Sequence, residues 1–116
     1  MTRKVALFAF NGEPMCFVHV LLNALDMNEK GYDVKVIIEG STPRTANALN
    51  DPDAKFHRFY QAVKDEGLID CVCRACSAQV DALEGIEAQG LPLCDDMTGH
   101  PSMASYLEDG YEIITF

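Results

Sequence analysis

Short apolar runs alternate with amphipathic segments along the chain. Residues 5–10 form an unbroken apolar run that ends in turn residues, which is typical of a strand buried on both faces of a parallel sheet. Residues 15–30 then carry apolar side chains at helical spacing, and Gly31 supplies a stop. Read in this way, the pattern predicts strands at 5–10, 33–39, 68–73, 91–94 and 111–115, and helices at 15–30, at 43–49, from Pro52 to the stop at Gly67, at 77–84 and at 101–109.

Strands that alternate with helices imply βαβ units with right-handed crossovers. The expected fold is therefore α/β, with three layers (α/β/α) and a mostly parallel five-stranded sheet. The 116 residues suit one domain spanning 1–116. The first helix has two apolar rows rather than one, which predicts that it packs against something besides its own sheet, most simply a second subunit.

Charge and hydropathy narrow the class of protein further. Nine basic side chains stand against 18 acidic ones, for a net charge of −9. Binding to nucleic acid or to anionic membranes requires a basic surface, so neither is expected. The apolar run near the start is shorter than a signal-peptide core, and the longest apolar segment, around 15–27, falls short of a membrane span. These features predict a cytoplasmic protein.

The cysteines are the most informative residues. There are five, an odd number, and three of them crowd into 71–76, which favours reactive or metal-binding thiols in a reducing compartment over a disulfide framework. Because loops at the carboxyl ends of parallel strands converge, Cys16, Cys73, Cys76 and Cys94 should share one edge of the sheet. Cys71 lies inside the third strand, where a buried small hydrophobe is favoured over a chemical role.

Cys76 is the leading candidate nucleophile. It comes immediately before Ser77 at the predicted turn from strand to helix, where its sulfur would meet unpaired backbone N–H groups. Arg74 adds a positive charge nearby, and both effects favour the thiolate. The spacing Cys73-x-x-Cys76 is that of thiol redox sites and half-metal sites, so Cys73 is expected to resolve a disulfide or to pass sulfur onward. A buried structural cysteine is the alternative.

Two other kinds of chemistry stay open at this point. Cys73 and Cys76 could bind zinc or an iron–sulfur cluster if Cys16, Cys94 or His100 completed the ligand set. They could also carry out thiol–disulfide exchange. His100 precedes the last predicted helix, where it either caps that helix or serves in proton transfer or metal binding. No glycine-rich phosphate-binding pattern is present, so no nucleotide cofactor is expected.

The chain resembles the DsrE/DsrF-like family of small sulfur-relay proteins over nearly its whole length. The features that carry the resemblance are the first strand and long helix, Val-Lys-Val-Ile-Ile-Glu-Gly at 34–40, the Gly-Leu-Ile approach at 67–69, and the Ala75-Cys76 turn. The resemblance implies that Cys76 accepts a persulfide and hands its sulfur on, a sulfurtransferase-like activity with no required cofactor. It also implies donor and acceptor proteins and a homotrimer or homohexamer. The surplus cysteines depart from the family pattern.

Overall fold

Five strands form a single parallel sheet in the computed structural model, which describes residues 2–116. Their order across the sheet is β4-β3-β2-β1-β5, so the chain steps outward from β1 to β4 and then returns to the far side of β1. Every pairing is parallel, which confirms the expected α/β class. The strands are β1 (Lys4–Ala9), β2 (Asp33–Ile38), β3 (Ile69–Cys73), β4 (Leu93–Cys94) and β5 (Glu112–Thr115).

The helices cover the two faces of this sheet unequally. Most of the core lies on one face, where side chains from β1 and β2 pack with Phe17, Tyr60 and Ile86. The other face carries Phe8 and the third-strand cysteine Cys71, covered mainly by one short helix. Layers on both sides are compatible with a three-layer fold. In the described part of the chain the helices are α1 (Pro14–Glu29), α2 (Thr42–Leu49), α3 (His57–Asp65), α4 (Arg74–Gln79), α5 (Leu83–Ala88) and α6 (Met103–Glu108).

Both apolar rows of α1 contribute side chains to the core, although Leu22 of the first row is 39% exposed. Phe17 and Leu21 of one row and Val20 and Ala24 of the other are fully buried in the same core. α1 also packs on α3, whose Tyr60 ring centroid lies 6.2 Å from that of Phe17. Contacts inside the chain therefore account for most of the two-sided pattern, and the second subunit stays a prediction.

The helix expected from Pro52 begins later, at His57. The reason is local: the Asp51 carboxylate accepts from the backbone N–H of Asp53 at 2.9 Å, which stabilises a turn instead of a helix. Phe56 then adopts a left-handed backbone conformation with φ of 73°, which a continuous helix does not allow.

A single helix at 77–84 was also expected, and the structure has two short helices there. α4 already begins at Arg74, and Asp81, with φ of 58°, ends it. The Ala82 N–H closes the turn on the Ser77 carbonyl at 2.7 Å. Gly85, expected to be a stop, lies inside α5, where an added Cβ would approach the Asn47 side chain to 2.5 Å. It permits close packing of α5 on α2.

A bulge in β3 shapes the less covered face of the sheet. Val36 pairs with Ile69, but the next residue, Ile37, pairs with Cys71, which leaves Asp70 as the extra residue. As a result Asp70 and Cys71 both contact the hydroxyl of Tyr106 on α6. None of the helices described in residues 2–116 is long and apolar enough to cross a bilayer.

Candidate functional site

The end of β3 runs without a loop into α4, and this junction positions two cysteines. Cys73 is the last residue of β3 and the N-cap of α4, and its sulfur accepts from the backbone N–H of Cys76 at 3.3 Å. The buried Ser77 hydroxyl donates to the Cys73 carbonyl at 2.7 Å. Cys76 was expected to place its sulfur over the free N–H groups of the helix, and this is wrong: Cys73 occupies that position, because the helix begins three residues earlier than the pattern indicated.

A tight turn brings His100 to this junction. Thr98 and Gly99 both have positive φ, 50° and 88°, and backbone hydrogen bonds link Met97 and His100 in both directions. The Gly99 carbonyl accepts from the Ala75 N–H at 2.9 Å, which fastens the turn to the start of α4. An added Cβ on Gly99 would meet the Ala75 Cβ at 3.0 Å, so only glycine fits here without strain.

Cys73, Cys76 and His100 form one cluster. The His100 Nδ1 lies 3.1 Å from the Cys73 sulfur and 3.5 Å from the Cys76 sulfur. The three ligand atoms all lie within 4.8 Å of one another, so this group could hold a metal ion. His100 does not cap α6, because Ser102 is the N-cap and accepts from the Ser105 N–H.

The two thiols differ in environment. Cys73 is fully buried, and burial raises the pKa of its thiol from 9.0 to about 12. The Cys73 S–H can donate to the Gly99 carbonyl, 3.5 Å away, or to His100. Cys76 is partly exposed. It faces a cavity of about 340 Å³ lined by Phe10, Gly40, Ser41, Ala75, Cys76, Gln79, Val80 and His100.

Two residues at this site, Glu39 and Phe10, were not foreseen from the sequence. Glu39 follows β2 beside the cluster: burial raises the pKa of its carboxyl, and His100 opposes that shift. Phe10 forms a wall of the cavity and packs closely on Gly40, where an added Cβ would approach the Phe10 carbonyl to 2.3 Å. The available signal was their position: Glu39 directly follows β2, the neighbour of β3, and Phe10 directly follows β1, the next strand across the sheet.

Cys94 lies outside the cluster. It forms a disulfide with Cys71, with Cα atoms 5.6 Å apart, so the expectation of reduced thiols throughout is wrong for this pair. Cys71 is therefore more than a small buried hydrophobe. The predicted set of four thiols does not assemble, because Cys94 is bonded to Cys71 and Cys16 is not a member of the cluster.

The remaining candidates lie at the periphery. Arg74 is exposed and forms an ion pair with Asp95, 3.7 Å from Nε to Oδ2. Cys16 lies in the first turn of α1, where its N–H donates to the N-cap Glu13 at 3.1 Å. It is partly exposed and is not a member of the cluster formed by Cys73, Cys76 and His100.

Comparison with known proteins gives relatives but no activity. No family model matches the chain, and no solved structure matches it significantly. Two uncharacterized proteins of Archaeoglobus fulgidus match short stretches. One is 48% identical over 40 residues, 34% of this chain and 66% of that protein, and the other is 43% identical over 35 residues, 30% of this chain and 95% of that protein.

A longer match comes from Methanocaldococcus jannaschii. The uncharacterized protein MJ0733 is 36% identical over 97 residues, which cover 84% of this chain and 77% of that protein. Similarity over this share of both chains implies the same fold and common ancestry. The chain therefore belongs to the family of the uncharacterized archaeal protein MJ0733.

Proposed function

We propose that this protein is a sulfur carrier that accepts sulfane sulfur on Cys76. The observation that carries the proposal is the position of Cys76, which lines a cavity and whose sulfur lies 3.5 Å from the His100 Nδ1. A thiol that is reached from a cavity and has a base within hydrogen-bonding distance is the usual arrangement of a nucleophilic cysteine. The resemblance to DsrE/DsrF-like sulfur-relay proteins supports the same role for Cys76.

The transfer step needs no cofactor. His100 takes the proton of the Cys76 thiol, and the thiolate attacks the outer sulfur of a donor persulfide. The new bond is Cys76 S–S, the donor S–S bond breaks, and the donor leaves as a thiolate that takes the proton back. Cys76 then holds the sulfur as a persulfide, and an acceptor thiolate removes it by the same reaction.

The order of the two cysteines follows from their burial. Because its pKa is raised to about 12, Cys73 stays protonated at neutral pH and is a poor first nucleophile. Cys76 is the more accessible thiol, and it takes the sulfur first. Cys73, whose sulfur accepts the Cys76 N–H, is placed to attack afterwards.

The cavity indicates what kind of donor fits. Its walls include the apolar side chains of Phe10, Ala75 and Val80, and its volume of about 340 Å³ suits a small sulfane compound or the cysteine-bearing loop of another protein. We infer that donor and acceptor proteins dock at this edge, and that the chain works in the cytoplasm, where the free thiols of Cys73 and Cys76 are kept reduced. A homotrimer or homohexamer stays a proposal based on the resemblance.

Sulfur uptake is tested directly by mass. Protein that retains the Cys71–Cys94 disulfide and has Cys73 and Cys76 reduced is incubated with inorganic polysulfide, separated from excess donor and weighed intact. The wild type and the Cys16→Ser variant should each gain the mass of one sulfur atom that a thiol reductant removes, whereas Cys76→Ser should gain none. Cys16→Ser is the matched control, because Cys16 is also partly exposed but lies outside the cluster. Uptake that persists in Cys76→Ser contradicts the proposal.

A second candidate is a zinc site made by Cys73, Cys76 and His100. Tetrahedral zinc, with Zn–S of about 2.3 Å and Zn–N of about 2.0 Å, separates its ligand atoms by roughly 3.5 Å. The two sulfur-to-Nδ1 distances, 3.1 and 3.5 Å, are close to that value. Three protein ligands would leave a fourth position open to the cavity, as in catalytic zinc sites. An iron–sulfur cluster is less well supported, because Cys16 and Cys94 do not join the group.

Metal titration separates the two candidates. Reduced wild-type protein, the Cys76→Ser variant and the Cys16→Ser control are each titrated with zinc against a chromophoric chelator. One tightly bound zinc that blocks sulfur uptake and is lost in Cys76→Ser alone would favour the metal site. Weak zinc binding together with sulfur uptake would favour the carrier.

A further inference from the structure

The disulfide lies beside the cysteine cluster, and Cys73 connects the two. β3 and β4 pair so that Cys73 is in register with Cys94, whereas the sulfur of Cys94 is bonded to Cys71. Cys73 in turn contacts Cys76 and His100. Four cysteines thus form a continuous series, Cys71, Cys94, Cys73 and Cys76. The series runs from a second cavity, lined by Cys71 and Cys94, to the cavity lined by Cys76.

We propose that the Cys71–Cys94 disulfide is a second, redox-active site, which exchanges electrons with Cys76 through thiol–disulfide exchange between Cys94 and Cys73. This proposal does not depend on sulfur uptake, because any disulfide or sulfane compound that reacts at Cys76 can serve as the oxidant. The electron donor is a dithiol that reaches and reduces the Cys71–Cys94 disulfide.

Strand geometry allows both pairings of Cys94. Side chains in register on neighbouring parallel strands lie on the same face, and their Cα atoms are about 4.8 Å apart. That spacing falls within the range of roughly 4.4–6.8 Å that disulfides accept. Residues two apart in a strand also share a face, so Cys71 and Cys73 are both available to Cys94. Cys94 can therefore change partner with little movement of the backbone.

The exchange balances without any further reactant. An oxidant such as glutathione disulfide first forms a mixed disulfide with Cys76 and releases one glutathione. Cys73 attacks the Cys76 sulfur, gives its proton to His100 and releases the second glutathione, which forms the Cys73–Cys76 disulfide. Cys94 attacks Cys73 and frees Cys76; Cys71 then attacks Cys94 and frees Cys73. Overall, the Cys71 and Cys94 thiols lose two electrons and two protons, which end on two glutathione molecules.

The surroundings of Cys71 suit the reverse step, in which Cys73 attacks Cys94 and Cys71 leaves as a thiolate. The Tyr106 hydroxyl donates to the Asp70 carboxylate and lies 3.6 Å from the Cys71 sulfur, so a turn of its O–H bond away from Asp70 would direct the proton to a departing thiolate. Burial and the hydrogen bond to Asp70 raise the pKa of Tyr106, so the hydroxyl stays protonated. Lys35, 3.7 Å from the Asp70 carboxylate, adds a positive charge to the same cavity.

The disulfide also has an entrance of its own. Cys71, Cys94 and Tyr106 line a second cavity of about 400 Å³. The two cysteines are only 6% and 8% exposed, so a bulky oxidant reaches them poorly. Oxidation of this pair should therefore be faster through Cys76 than by direct attack.

The first experiment times the formation of the Cys71–Cys94 disulfide. Fully reduced protein is mixed with glutathione disulfide, quenched with acid and alkylated, and its disulfides are assigned by peptide mass spectrometry. Cys73→Ser should slow the Cys71–Cys94 bond by about tenfold or more and leave glutathione on Cys76, whereas Cys16→Ser should match the wild type. Serine is a good N-cap, so Cys73→Ser should keep α4 folded. Equal rates in Cys73→Ser and wild type would overturn the proposal.

A second variant captures the intermediate. In Cys71→Ser, Cys94 has no final partner, so oxidation at Cys76 should accumulate a Cys73–Cys94 disulfide. Cleavage after Arg74 and at the acidic residues 81–87 puts Cys73, Cys76 and Cys94 on separate peptides, which makes the assignment unambiguous. Finding Cys73–Cys94 supports the exchange, whereas a Cys73–Cys76 disulfide with a free Cys94 thiol contradicts it. Neither outcome depends on whether Cys76 accepts sulfane sulfur.

Discussion

The Nδ1 of His100 lies 3.1 Å from the sulfur of Cys73, although the two residues belong to different crossovers of the fold. Cys73 ends β3, whereas His100 follows β4 in a turn fastened to α4. One imidazole nitrogen is thus shared by a buried thiol and by the partly exposed thiol of Cys76. This shared contact makes His100 the residue through which both cysteines exchange protons.

Replacing His100 by glutamine should slow sulfur uptake at Cys76. Glutamine keeps some hydrogen bonding but cannot accept the thiol proton, so the rate should fall on the order of 100-fold at neutral pH. The rate is measured by intact mass after timed exposure to polysulfide. His19→Gln is the control, since His19 is exposed on α1. Uptake at the wild-type rate in His100→Gln would show that His100 is not the base.

Substituting Gly99 by alanine should disturb the site through the turn that carries His100. With φ of 88°, alanine is strained there by about 1 kcal/mol, and its Cβ meets Ala75 at 3.0 Å. We expect lower stability in denaturant and slower alkylation or sulfur uptake at Cys76.

Gly90→Ala is the control that separates the effect of backbone strain from the effect of displacing His100. Gly90 also has positive φ, 72°, but an added Cβ has nothing within 4 Å. This variant should lose a similar amount of stability while Cys76 reacts at the wild-type rate. If both variants slow Cys76 equally, the effect comes from general destabilisation and not from the displacement of His100.

The thiol of Cys73 should make the protein less stable at alkaline pH. Burial raises its pKa from 9.0 to about 12, so the unfolded chain releases this proton first as the pH rises. Between these values the native state binds more protons than the unfolded state, and stability falls with rising pH. Burial also raises the pKa of Tyr60 above its ordinary 10.0, which adds a second loss that begins at higher pH.

Denaturant unfolding at a series of pH values on both sides of 9.0 tests this order. The wild type should begin to lose stability near pH 9, whereas Cys73→Ser should begin about one unit higher, where only the tyrosines contribute. Superimposable pH profiles for the two proteins would contradict the role given to Cys73.

The sequence was enough to predict the sheet but not the pairing within it. Apolar runs at β1, β2 and β3 are strong signals, because a parallel sheet buries both faces of its strands. The grouping of cysteines at one edge followed from the same argument, and for Cys73 and Cys76 it was correct. The disulfide partner of Cys94 could not be predicted, because it depends on the register of β3 and β4. It depends also on whether Cys94 bonds to Cys73, directly opposite, or to Cys71, two residues before it.

The role of His100 was equally hidden in the pattern. Its place before Pro101 is typical of a helix cap, and nothing in the spacing shows that Thr98 and Gly99 turn the chain back toward α4. The start of α4 was misplaced for a related reason. Val-Cys-Arg-Ala-Cys at 72–76 has no serine, threonine or aspartate cap, and a cysteine sulfur fills that role instead.

The Cys71–Cys94 disulfide should stabilise the fold by about 3 kcal/mol, as expected for a cross-link between residues 23 positions apart. Adding a thiol reductant should therefore lower the free energy of unfolding of the wild type and of Cys16→Ser by this amount, measured by denaturant titration with and without reductant. The double variant Cys71→Ser, Cys94→Ser should not respond to reductant, because the remaining thiols that lie close together, Cys73 and Cys76, close only a short loop. An equal response in that double variant would place the stabilising cross-link elsewhere, and it would remove the structural basis for exchange through Cys94.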